Sequence, residues 1–384
     1  MDLQDNTGMA ASAGSALAAN AGIVAGWGLK DSALAKFNFV SNSITANSIA
    51  GAGQVLSAVY SIYHIAKNHE NMHYGDIIGQ DVASAVKSVL QTTTAIWTGI
   101  ESGKQYQDLA KNFVEGAEIT TSTALKGVGV ATAGITALQS TYQTVSGTLD
   151  LKNNKNASKY LNKKINTAYR AKLEVSSEGD QDPAEQTEER RRLEEEFRRA
   201  KYDKNIKKLS KDLGTRKAAY SAIQAVGAGL SIAGVFIPVA GTVVGLAGTA
   251  LTTVAGVLSG MHLTSARTMM FDDYFQFDKY LDQAKAVMKK NHRKIYNEEE
   301  FANRMRRTLM ASLGYSDLIS ACDQIAKRYA DQIRMRLFGK PEEQTKDKAE
   351  RDGYIQMIKS FGLPYDEKKK VPSLNALARK MNGR

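Results

Sequence analysis

The chain has 384 residues, a formal net charge of +11 and a pI near 9.4, with 24% charged and 8% aromatic side chains. That balance excludes an intrinsically disordered chain, which lacks enough apolar surface to offset its ordering entropy, and it favours anionic partners. A single cysteine, Cys322, excludes an intramolecular disulfide framework and any cysteine-rich metal site.

The N-terminus, Met1-Asp2-Leu3-Gln4-Asp5, has neither a basic n-region nor a continuous apolar h-region. The expectation is a protein that is soluble in the producing cell's cytoplasm before export and leaves it without a Sec-type signal, for example through an injection apparatus. No proline precedes Pro183, and Ala, Ser and Thr abound, so residues 1–150 are predicted to be a small-residue-rich helical domain. Uncharged runs at 6–29, 37–66 and 127–148 each set Gly/Ala clusters beside apolar residues at helical spacing, such as Ile135, Leu138, Tyr142 and Val145.

His69-Glu70-Asn71-Met72-His73 matches HExxH, in which two histidines on one helix face can hold zinc and the glutamate acts as base. The surroundings depart from the metalloprotease pattern. Lys67 stands where an uncharged residue is usual, Gly75 and Asp76 end the helix, and no third ligand is placed by a motif. No metal-ligating or catalytic residue is therefore assigned, and zinc-dependent hydrolysis stays a third alternative. There is no Gly-x-Ser-x-Gly, phosphate-binding loop or Cys/His cluster, and no cofactor is expected.

Residues 151–217 read as a charged helical segment. Asn153, Asn154 and Asn156 predict a turn, and Asp182-Pro183-Ala184-Glu185 predicts a helix start. Glu188/Arg192, Glu194/Arg198 and Glu195/Arg199 stand four apart beside an apolar stripe of Leu193, Phe197, Tyr202 and Ile206. This fits a surface helix or one arm of an antiparallel pair. Its acids nearly balance its bases, so no specific nucleic acid is expected.

From Ala218 to Ala266 run forty-nine residues without Asp, Glu, Lys or Arg. A spanning helix needs about 20 apolar residues, so there is room for two. Phe236-Ile237-Pro238-Val239 interrupts the run, because proline breaks a helix interior. The segment 218–266 is predicted to be a Gly-rich hydrophobic helical hairpin. Phe236, Ile237, Pro238 and Val239 form its membrane-inserting tip. Gly241, Gly245, Gly256 and Gly260, in two GxxxG pairs, form its helix-packing contact. The same hairpin also fits a tightly packed water-soluble core.

Residues 267–340 are predicted to be a basic amphipathic helical domain. Phe271, Tyr274, Phe275, Tyr280, Leu281, Ala284 and Met288 make one aromatic-rich face; Asn297 and Ser316 cap two further helices. Residues 341–384 read as a C-terminal tail with a short helix, Ser373 to Met381, which fits a docking or recognition tail or, more simply, a solvated end. Residues 1–150 carry 7 basic and 11 acidic side chains; 151–217 carry 19 and 12; 267–384 carry 25 and 17. A basic collar thus flanks the uncharged hairpin, and juxtamembrane Lys/Arg are drawn to anionic lipid.

The hairpin, with its Ile237-Pro238 turn in an otherwise helical and charged chain, resembles the hydrophobic hairpins of colicin-type pore formers and type III secretion translocators. The resemblance covers about 50 residues. It implies a secreted bacterial effector or toxin, pore-forming or translocator-like, that inserts a hairpin into a target membrane. The implied partners are an anionic lipid membrane, a secretion chaperone or injection apparatus, and further copies of itself. The long small-residue-rich helices are also similar to phage tape-measure and injection cargo proteins, which supplies the alternative of a structural or packaged component. The expected fold is an all-α, elongated multi-helix bundle around the hairpin.

Overall fold

The structure, a computed structural model, describes residues 123–175, 183–236, 241–339, 344–365 and 372–383, with single helical positions at 59, 82, 85, 86, 89 and 90. The protein is all-α: the described residues form eight helices and no strand. These are α1 (Thr123–Val175), α2 (Pro183–Phe236), α3 (Gly241–Phe275), α4 (Phe277–Lys290), α5 (Glu298–Ser312), α6 (Leu318–Phe338), α7 (Lys348–Ser360) and α8 (Leu374–Met381). The chain divides into two compact units. The first comprises Met1–Val145 and Lys217–Met261, the second Ser146–Arg216 and His262–Arg384.

In the second unit α1 runs straight through the turn predicted at Asn153, Asn154 and Asn156. Asparagine disfavours a helix interior because its amide competes for nearby backbone groups. Here the amides are engaged elsewhere. Asn154 Nδ2 donates to the Lys207 carbonyl at 2.8 Å, and Asn153 Nδ2 donates to the Lys359 carbonyl at 3.3 Å. Tertiary hydrogen bonds override the local preference. The charged helix α2 is one arm of an antiparallel pair with α1: Tyr169 meets Phe197 at 4.7 Å between ring centroids, and Gly214 faces Leu151. Glu195 and Arg199 approach to 3.7 Å, as the spacing predicts, but such exposed pairs add little stability.

The aromatic face predicted over Phe271 to Met288 is broken at Gln276, whose φ of 54° is left-handed, so α3 ends and α4 starts there. The rings still cluster. Tyr274 meets Tyr329 at 5.8 Å and stacks on Tyr202 at 5.7 Å, while Phe271 meets Phe275 at 4.8 Å. Arg306 fixes α5 on this cluster. It forks onto Asp272 with two 2.8 Å hydrogen bonds and lies 4.5 Å over the Phe277 ring.

Asn297 caps α5 by accepting from the Glu299 and Glu300 amides. At α6 the cap is Asp317, one residue beyond the predicted Ser316, and Ser320 completes a capping box. One face of α6 then repeats buried Cys322, Ile325, Tyr329, Ile333 and Leu337. The C-terminal helix is packed rather than solvated. Leu377 and Met381 are fully buried, and α8 lies on α6. Arg267 holds the end of α8: its Nε donates to Asn382 Oδ1 at 3.1 Å and its Nη2 to the Asn382 carbonyl at 3.0 Å. Cys322, buried in the core, donates its S–H to the Arg267 carbonyl at 3.4 Å.

Candidate membrane interface

The candidate site lies in the first unit, where the end of α2 and the start of α3 form the two arms of the uncharged segment. The arms touch at Gly227 and Gly248. A Cβ built on Gly227 would stand 2.6 Å from the Gly248 carbonyl oxygen, and one on Gly248 would stand 2.4 Å from the Gly227 carbonyl oxygen. No side chain fits between backbones that close. The hydroxyls at the contact are satisfied within their own helices. Ser231 Oγ donates to the Gly227 carbonyl and Thr252 Oγ1 to the Gly248 carbonyl, each at 3.0 Å. Ser221 Oγ donates to Gln143 Oε1 on α1 at 3.0 Å.

The buried positions described in this unit are all small: Thr136, Ser140, Ser221, Gly227, Ala228, Gly248 and Ala255. Several large apolar side chains point outward, while Ile135, Leu230, Ile232, Val244 and Val257 are half-buried. Leu138 is 75% exposed, Val226 60%, Val254 54% and Met261 62%. On α3 the exposed set Leu251, Val254, Leu258 and Met261 follows a 3-4-3 spacing, which lines one helix face. Val82, Val86 and Val89 are also exposed helical residues. A segment made for water buries its large apolar groups and exposes its small polar ones. Where described, this unit fully buries only small residues and leaves part of its large apolar set exposed.

Of the predicted tip, Phe236 is the last residue of α2, and Ile237, Pro238 and Val239 lie outside the described residues. Gly241 opens α3 and Gly245 follows one turn later. Gly256 and Gly260 are half-buried; a Cβ on Gly256 would meet only Gln224 Nε2, at 3.6 Å. The packing of Gly241 and Gly245 lies outside what the structure describes; the close approach it does describe is between Gly227 and Gly248. Their signal in the sequence was weaker, because the partner glycine sits on the other arm. His69, Glu70 and His73 lie outside the described residues, among which no group of three or more His, Cys, Asp or Glu side chains could hold a metal ion. Among the described residues no helix is long and apolar enough to cross a membrane.

The second unit holds a group that periodicity alone hides. Asp203 lies on the buried face of α2 with Ala200 and Ile206. Its Oδ2 accepts a 2.7 Å hydrogen bond from Tyr354 Oη, while its Oδ1 has no partner among the described residues. Burial pushes its pKa up to about 6; the Tyr354 hydrogen bond and the Lys164 and Arg336 charges pull against that rise, and Glu350 adds to it. Asp203 and Tyr354 are both buried, so the pair reads as part of the core.

No family model, curated protein or solved structure matches this chain.

Proposed function

We propose that the protein is a secreted helical effector or toxin whose 218–266 hairpin associates with and inserts into an anionic target membrane. The observation that carries this reading is the packing of the two arms: glycines and satisfied hydroxyls at the contact between them, and an exposed apolar face of Leu251, Val254, Leu258 and Met261 on α3. In lipid the outward apolar face is solvated, and contact through small residues is how helices associate there. The arms insert as an associated pair. Ser231 and Thr252, which would burden a lone span, lie at the mutual contact with their hydroxyls bonded to backbone carbonyls.

The 3-4-3 spacing on α3 supports a second reading, in which a helical partner within a structural assembly covers this face.

Dye release and co-flotation with anionic vesicles test the proposal, using the full chain and a Val254→Asp/Leu258→Asp variant. The membrane reading expects the wild type to float and to release dye, and the variant to lose both while keeping its helicity. A wild type that neither floats nor releases dye at any pH from about 5 to 7.5 overturns it. So does a variant that releases dye as well as the wild type. A wild type that stays off vesicles and runs as an oligomer which the variant dissociates points to the assembly reading.

A further inference from the structure

Between Lys152 and Lys172, α1 carries seven basic side chains and no acidic one. Two are engaged: Lys164 pairs with Glu350, and Lys172 lies 4.0 Å over the Phe197 ring. The other five, Lys152, Lys155, Lys159, Lys163 and Arg170, are exposed and make no ion pair among the described residues. At 3.6 residues per turn they fall within an arc of about 80° and extend about 27 Å along the helix. Like charges four apart, as in Lys155, Lys159 and Lys163, destabilise a helix slightly. The fold gains nothing from this row by itself.

The neighbouring arm adds to the field. Lys207 is held below the ordinary lysine range, first by burial and then by Lys204 and Lys211. The start of α2 shows what an ordinary solvated face looks like in this chain: there Arg192 meets Glu196 and Arg199 meets Glu195. Exposed Leu149, at 52%, and Tyr160, at 43%, border the row along one edge.

We infer that this row of α1 is a docking surface for the headgroups of an anionic phospholipid bilayer. Lysine presents a point charge on a long apolar stem, which suits a diffuse phosphate surface. An apolar and aromatic border beside a basic row suits a helix lying at a membrane interface. Lysines also bind nucleic-acid phosphates, so what favours the bilayer is the apolar and aromatic border of Leu149 and Tyr160 beside the row. The inference rests on the membrane reading above and assigns the first, electrostatic step of it to residues outside the hairpin.

The test compares full-length wild type with a Lys152→Gln/Lys155→Gln/Lys159→Gln/Lys163→Gln variant. Binding is measured by co-flotation with phosphatidylcholine vesicles holding about 30% phosphatidylglycerol, with pure phosphatidylcholine vesicles, and by titration with a 30-base-pair DNA duplex. Since each basic residue near an anionic surface contributes appreciably, the variant is expected to lose about tenfold or more in affinity for the anionic vesicles. Its helicity and its dye release per bound molecule stay unchanged. Raising the salt should abolish the difference between the two proteins. Equal affinity of wild type and variant for anionic vesicles overturns the docking surface and leaves the hairpin reading standing. A variant that binds vesicles normally but loses the duplex assigns the row to nucleic acid and overturns the inference. A wild type that binds neither vesicle overturns both.

Discussion

The two units solve burial in opposite ways. The second buries Leu161, Ile206, Phe271, Ile333 and Tyr354, and caps and pins its helix ends with Asn297, Asp317 and the Arg267–Asn382 contact. The first, where described, fully buries only glycine, alanine, serine and threonine and leaves Leu138, Val226, Val254, Leu258 and Met261 exposed. One chain thus carries a core built by the hydrophobic effect and a helix contact built by close approach of backbones. On the proposed function the difference is one of environment. Large apolar groups facing out are costly in water and cost nothing in lipid.

Deleting a large core side chain should separate the units most clearly. Phe271 is fully buried and packs on Phe275, so Phe271→Ala should cost about 3–5 kcal/mol. Leu138→Ala, at a position 75% exposed, should stay within about 0.5 kcal/mol in water. Urea unfolding of both variants checks the pair. A large loss at Leu138 would mean that something covers it in solution and would weaken the contrast.

The next effect belongs to the second unit alone and follows pH. The Asp203 carboxyl is raised from 3.8 to about 6, so the folded state holds its proton more tightly than the unfolded chain does. The sign follows from that. The associated stability is fully present below about pH 4 and is lost as pH rises through about 6. A shift of about two units corresponds to roughly 3 kcal/mol. Asp203→Asn keeps the shape and removes the titration. It should flatten the rise in stability between pH 7 and pH 4.5 that thermal or urea unfolding of the wild type is expected to show. An unchanged pH profile in the variant would remove Asp203 as the cause.

Much of the fold was legible because its signals are local. Pro183 opens α2, Asn297 and Ser373 sit where caps belong, and the stripe Leu193, Phe197, Tyr202 and Ile206 marks the buried side of an antiparallel arm. The errors came where distant partners decide. Asn154 is helical because Lys207 offers it a carbonyl. Gln276 breaks the aromatic run although no glycine or proline marks it. The terminal helix is buried because Leu377 and Met381 meet α6, a contact no local pattern announces. At the candidate interface the uncharged segment was plain in the sequence. The glycines in contact were not, because a GxxxG pair describes one helix and the Gly227–Gly248 approach needs two.

The contact between the arms gives the third test. Gly248→Ala places a methyl carbon 2.4 Å from the Gly227 carbonyl oxygen and 2.5 Å from the Ser231 amide nitrogen, both backbone atoms that cannot rotate away. The arms must separate, at a cost of about 1–3 kcal/mol. Vesicle dye release should fall with it, whereas the unfolding of the second unit should be unaffected.

The smallest effect is the sharpest control on that argument. Gly229 lies two residues from Gly227 on the same helix, but it is exposed and a Cβ there meets nothing within 4 Å. Gly229→Ala should therefore stabilise α2 by about 0.5–1 kcal/mol, through the lower backbone entropy of the unfolded chain. The two alanine substitutions have the same chemistry, and the two that matter differ only in which way the new methyl points. Opposite signs in urea unfolding would place the close helix contact at Gly248 and assign no packing role to Gly229. Loss of stability at both would show that alanine is unwelcome anywhere on these arms, and the contrast between the units would then reflect glycine content instead of a packed interface.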